Sequence, residues 1–177
     1  MADIASKPWL KRYDLRIGHY DWASVVIGSD GFFAACSSWG GYAYRWGAMG
    51  CADAREFFLD KEYARYPDYI LSKLCGARDV YDGDATCANV KRAIIEARRH
   101  GPRSAEWARR EWDLLREHGN LESREDYALW YQETRIDDAY EHAAYVYPNQ
   151  AQGFVRNVMP VLADAIRAEL AAEKRVA

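Results

Sequence analysis

The sequence predicts an α+β fold, with a four-stranded antiparallel meander over residues 10–47 packed against a helical half. Three observations predict it. Apolar and polar residues alternate early in the chain. Glycine turns divide that stretch into runs of strand length. After Gly50 the apolar spacing changes from two residues to three and four, the helical period.

Residues 1–8 read as a loose arm. Tyr13, Leu15 and Ile17 alternate with Asp14 and Arg16, and Gly18 ends this first strand. Asp21 to Ser29 contains Trp22-Ala23-Ser24-Val25-Val26-Ile27, a second strand rich in β-branched residues. Asp30-Gly31 is the best hairpin signal, because both residues accept the positive φ of a tight turn. Phe32–Ser37 forms the third strand, Gly40-Gly41 the next turn, and Tyr42–Trp46 the fourth strand. Connections this short impose antiparallel pairing. The middle strands are apolar on both faces, so both faces are expected to be covered at least in part.

The helical half starts with two short elements at 53–76. Asp53 and Glu56 have capping-box spacing ahead of Phe57-Phe58-Leu59, and Pro67 suits the first turn of Pro67–Leu74, which Gly76 stops. Asp79–Asp84 reads as a polar turn. Four longer helices are expected within 85–175. Residues 85–100 end at Gly101-Pro102, and 103–118 end at Gly119-Asn120. Residues 122–146 carry Leu129, Ile136, Tyr140 and Ala143 on one stripe and stop before Pro148; residues 150–175 contain Pro160, where a kink or a new start is expected. The tail from Ala171 is expected to fray. Trp22, Val26, Phe32, Tyr44, Phe58, Leu71, Ile94, Trp112, Ile136 and Leu162 are the expected core. With no repeat and no low-complexity linker, residues 1–177 are read as a single domain.

Composition narrows the function classes. At 177 residues, 50% hydrophobic and 29% charged, the chain has ample material for a core. The net charge of −3 argues against a surface that binds nucleic acid throughout. Charge is nonetheless segregated. Residues 91–110 hold seven Lys/Arg and two Glu, a net of +5, and residues 122–141 hold seven acids and two Arg, a net of −5. The two blocks either match each other across a helical hairpin or are solvated separately. Cys36, Cys51, Cys75 and Cys87 lack C-x-x-C spacing and the four histidines are scattered, so no metal site or cofactor is expected. The thiols are expected to be reduced and mostly buried, as in a cytoplasmic protein. No apolar run approaches the ~20 residues needed to cross a bilayer.

No pattern marks catalysis. There is no phosphate-binding glycine loop, and Ser37-Ser38 has no histidine near it in sequence. Asp137, Asp138 and Glu141 share a helix face beside His142, but a solvated acidic face explains them without a metal. Two groups could bind a partner. Trp39, Tyr42 and Arg45 lie on or beside the fourth strand, and outward-facing rings there would make an adhesive surface. The helices need a sheet face to pack on, which favours inward rings. Arg98, Arg99, Arg103, Arg109 and Arg110 form the basic block, which could meet an acidic partner or nucleic-acid phosphates.

Trp39-Gly40-Gly41-Tyr42-Ala43-Tyr44-Arg45-Trp46-Gly47, then Gly50, Asp53, Arg55, Phe57-Phe58-Leu59 and Tyr69-Ile70-Leu71-Ser72-Lys73-Leu74, resemble a pattern found in small phage and prophage proteins. The resemblance spans residues 22–75 and attaches no catalytic residue. It implies a phage origin and a sheet-then-helix fold. Small acidic phage proteins of this kind, anti-CRISPR proteins among them, act by occupying a host protein. The expectation is therefore a non-enzymatic inhibitor of a bacterial immune component. A nucleic-acid-binding accessory protein using residues 91–110 is the alternative, and a small hydrolase the third reading.

Overall fold

The computed structural model describes residues 8–59 and 67–176. The chain divides into two compact units, Met1–Arg78 with Tyr147–Ala177, and Asp79–Val146. The arm expected at 1–8 lies almost wholly outside the described residues.

In the first unit four strands, β1 (Leu10–Ile17), β2 (Asp21–Gly28), β3 (Phe32–Ser37) and β4 (Gly40–Arg45), pair in sequence order as the antiparallel meander. The fold class is the α+β arrangement that the sequence predicts. Gly31 is required at its turn: its φ is 80°, and a Cβ there would lie 2.0 Å from the Trp46 carbonyl oxygen. That carbonyl belongs to the residue whose N–H donates to the Gly31 carbonyl at 3.0 Å, so the β2–β3 turn is tied to the end of β4.

One sheet face is covered. Tyr13, Leu15, Ala23, Val25, Ile27, Phe33 and Ala35 point into the core, with Tyr42 and Tyr44 half-buried beside them. Helix α1 (Pro67–Cys75) and the long helix α5 (Asn149–Val176) supply the opposing layer through Ile70, Leu71, Phe154, Val158, Leu162 and Ile166. A single 3-10 turn, Glu56–Leu59, adds Phe58, which stacks on Phe33 at 5.3 Å and meets Trp46 edge-on at 5.7 Å. Aromatic pairs of this kind contribute about 0.5–1.5 kcal/mol beyond their buried area.

The core expectation fails on strand parity. Trp22 and Phe32 are 47% and 36% exposed and Val26 is half-buried, because all three lie on the opposite face from the helices. Where both faces of a strand are apolar, alternation cannot say which set turns inward, and one step reverses every assignment. Phe58, Leu71, Ile94 and Leu162 are buried as expected; Tyr44, Trp112 and Ile136 are half-buried.

The second unit is a helical cluster around Val90, Ile94, Leu115, Leu121 and Trp130. Its helices are α2 (Gly83–His100), α3 (Ala105–Glu117) and α4 (Arg124–Glu133). Asp82, Ser104 and Ser123 cap their N-termini, and Ser123 with Asp126 makes a reciprocal capping box. The single helix expected over 122–146 is not formed. It stops at Glu133, because Thr134 and the Arg135 amide both donate to the carboxylate of Glu111 on α3, at 2.7 and 3.3 Å. Asp138 then takes a left-handed conformation (φ 53°) before a 3-10 turn at Ala139–His142. Residues read as a polar turn and a helix end instead form a small antiparallel ladder, β5 (Val80–Tyr81) with β6 (Tyr145–Val146).

Three local expectations also need correction. Asp53 does not cap an α-helix; its carboxylate accepts from the Arg55 amide at 2.9 Å. The tail expected to fray stays helical to Val176, in a helix that runs through Pro160 with no new start there. Of the four cysteines only Cys87 is buried; Cys36 is exposed and Cys51 and Cys75 are intermediate.

Candidate interaction surface

The sequence-predicted binding residues are divided between the two units. Trp39 and Tyr42 belong to the interior of the first unit. The Trp39 ring lies against Gly153 of α5, where a Cβ would be 2.2 Å from a ring carbon. Tyr42 packs on Phe154 at 4.6 Å and donates its hydroxyl to the Trp39 carbonyl at 2.7 Å. Arg45 is exposed and pairs with Asp30 at 2.8 Å.

The basic block lies in the second unit. Arg103 pairs with Asp137 at 2.8 Å and stacks over Trp107. Arg98, Arg99, Arg109 and Arg110 are exposed, and none has an ion-pair partner among the described residues. Among the described residues, matching of the basic block by the acidic block is thus confined to Arg103–Asp137. The early end of α4 explains this, since the acids past Glu133 do not continue along α3 on a helix.

A charge cluster that the sequence reading missed sits where α5 crosses β1. Arg55, only 5% exposed, donates to Asp53 at 2.7 Å and to Glu173 at 2.8 and 2.9 Å, and lies 3.2 Å from Glu169. Lys11 reaches Glu169 at 2.7 Å and Glu173 at 3.2 Å, and the Tyr13 hydroxyl donates to Glu169 at 2.5 Å. The ionisations follow. Hydrogen bonds from Arg55 and Lys11 push Glu173 down to about 2. Burial works to raise Glu169, but bonds from Lys11, Tyr13 and Arg55 outweigh it and lower it. Burial and then the Glu169 carboxylate push the Tyr13 hydroxyl well up. Every charge here already has a partner, so the cluster clamps the helix end to the sheet and presents no poised acid, base or nucleophile.

The other face of the sheet, which no described element of the first unit covers, is the better candidate. The strand register lays it out in rows from β1 to β4: Leu10, Gly28, Phe32 and Arg45; Arg12, Val26, Ala34 and Ala43; Asp14, Ser24, Cys36 and Gly41; then Arg16 opposite Trp22. Small residues make the middle flat, while Leu10, Trp22 and Phe32 leave 62%, 47% and 36% of their surface exposed. At the β1–β2 turn a concavity of about 430 Å³ opens between Arg12, Arg16, His19, Tyr20 and Trp22. Tyr20 at its rim is 94% exposed. Among the described residues no group of His, Cys, Asp and Glu is placed to hold a metal ion, and no helix is long and apolar enough to cross a membrane.

A family model, Phage_phiTE_072, described as a phage family, matches residues 6–168. The chain belongs to this phage family. No curated protein and no solved structure matches it.

The match extends through both units of the phage protein, well past the 22–75 stretch that carries the sequence resemblance. Tyr20 and Trp22, both exposed on the first unit, were not among the candidate binding residues. The signal available was composition: a Gly-His-Tyr-Asp turn places an aromatic ring at a hairpin tip, beyond the paired strands.

Proposed function

We propose that this phage protein works in the host cytoplasm by binding one bacterial protein, a component of anti-phage immunity, and blocking it without turnover. The observation that carries this reading is the uncovered sheet face. Exposed Trp22, Phe32 and Leu10 border a flat, small-residue centre, and arginines stand at the edge. Large rings and arginine around a flat apolar patch are the residue types that dominate protein–protein hot spots. The phage family supports a bacterial host as the source of the partner.

The test is plating. Expression of the protein in trans in a strain carrying a defence system should restore plating of a sensitive phage, and Trp22→Ala with Phe32→Ala should abolish the rescue while the protein still accumulates. Failure to rescue on any of a panel of defended strains contradicts the immune target. Inhibition of a purified target at far less than equimolar protein contradicts binding without turnover.

A second reading is supported by four exposed arginines with no ion-pair partner among the described residues, Arg98, Arg99, Arg109 and Arg110. They would contact nucleic-acid phosphates, with affinity falling steeply as salt rises. They sit in a unit that holds fifteen acids against ten Lys/Arg, which opposes the approach of a polyanion.

A further inference from the structure

The concavity at the β1–β2 turn carries an inference about what kind of partner segment the sheet face takes. Its charges are unevenly committed. Asp14 is taken up within the sheet: Arg12 donates to it from Nε and Nη2 at 3.0 and 2.9 Å, and Ser24 at 2.8 Å. These bonds, from Ser24 first and then Arg12, hold its carboxyl below the usual range. Asp21 accepts from the Ser38 hydroxyl at 2.8 Å. Arg16 has no hydrogen-bond or ion-pair partner among the described residues, and lies directly across from Trp22 in the β1–β2 register. A guanidinium with its donors uncommitted thus stands beside a half-exposed indole, with Tyr20 and His19 at the rim, their rings 6.3 Å apart.

We propose that this concavity binds an acidic segment of the partner protein, with a carboxylate on the Arg16 guanidinium and a neighbouring apolar side chain on Trp22. The proposal rests on the interaction reading above and names the partner chemistry of the same face. Arg–carboxylate recognition is planar and two-pronged, and it strengthens when an adjacent ring keeps water off one side. The concavity is open to solvent along its rim, which suits a chain passing across it.

The probe is a short blocked peptide of glutamates flanking one phenylalanine, titrated into the full chain with backbone amide shifts as the readout. A lysine version of the peptide and a short thymidine strand serve as comparisons. The acidic peptide is expected to move the amides of Arg16 to Ala23, and the lysine peptide to leave them in place. Arg16→Glu should weaken the acidic peptide at least about tenfold, the loss expected for a charge-assisted hydrogen bond. Arg16→Lys should recover only part of the loss, since it keeps the charge and not the fork. Equal shifts from the lysine peptide, stronger shifts from the thymidine strand, or no shift at these residues each overturn the proposal. Those results leave the broader reading standing, since that depends on rescue of plating and loss of it in the Trp22 and Phe32 variants.

Discussion

Gly153 shows how one missing methyl group sets a contact. Glycine inside a helix is about 1 kcal/mol worse than alanine, so Gly153→Ala would stabilise an isolated α5. Here the Trp39 ring occupies the space a Cβ needs. The variant should lower stability by about 1–3 kcal/mol, read from the denaturant midpoint, because overpacking exceeds the gain in propensity. A higher midpoint would mean that the ring can move aside. Arg55 has a larger effect for a different reason. Arg55→Leu leaves Asp53, Glu169 and Glu173 facing one another with only Lys11 for balance, and should cost about 3–5 kcal/mol, the range for breaking a buried ion pair from one side. The cluster also makes stability depend on acid. The Glu173 carboxyl falls from its ordinary 4.5 to about 2 on folding, so its contribution is complete above the unfolded value. It is lost as pH falls from 4.5 towards 2. Glu173→Gln should therefore flatten the acid limb of a stability–pH curve in that window, and an unchanged limb would place the titration elsewhere.

At the scale of elements, the strands were legible because turns and alternation agree, and the strand faces were not, because β2 and β3 are apolar on both sides. Which face is core was decided by where α5 lies, and strand spacing carries no information on that. Helix starts were partly legible: Ser104 and Ser123 stand where capping residues should, though the sequence reading placed the helix starts a residue or two away. Ser123→Ala should cost about 1 kcal/mol through loss of the capping box. The end of α4 was not legible. Its stripe runs on through Ile136 and Tyr140, and a side chain from another helix, Glu111, holds the Thr134 hydroxyl and takes the Arg135 amide that a further helical turn would need. Glu111→Ala should release that loop, seen as faster amide exchange over residues 134–138 with α3 still protected. Unchanged exchange there would mean that the turn at Asp138 ends the helix unaided.

On the scale of the whole molecule, the chain carries two cores, and neither boundary is marked by a linker. Residues 78–79 and 146–147 lie in ordinary polar and aromatic sequence, so composition gives no sign of the division. The second unit is one continuous segment with its own buried set, including fully buried Trp130. Residues 79–146 expressed alone should therefore be helical, with Trp130 protected from solvent quenching; a disordered fragment would contradict an independent core. Charge reversal of Arg109 and Arg110 should leave the melting temperature unchanged, because neither has an ion-pair partner among the described residues.

The central claim is that the uncovered sheet face is the working surface of this phage protein. Parallel capture of a host protein by the wild type, by Trp22→Ala/Phe32→Ala and by Arg98→Glu/Arg99→Glu tests it most directly, with each bait first shown to be folded. The account predicts that the wild type and the arginine variant retain the same host protein at a fixed molar ratio and that the sheet variant loses it. Retention by the sheet variant together with loss by the arginine variant would contradict the account and move the working surface to α2.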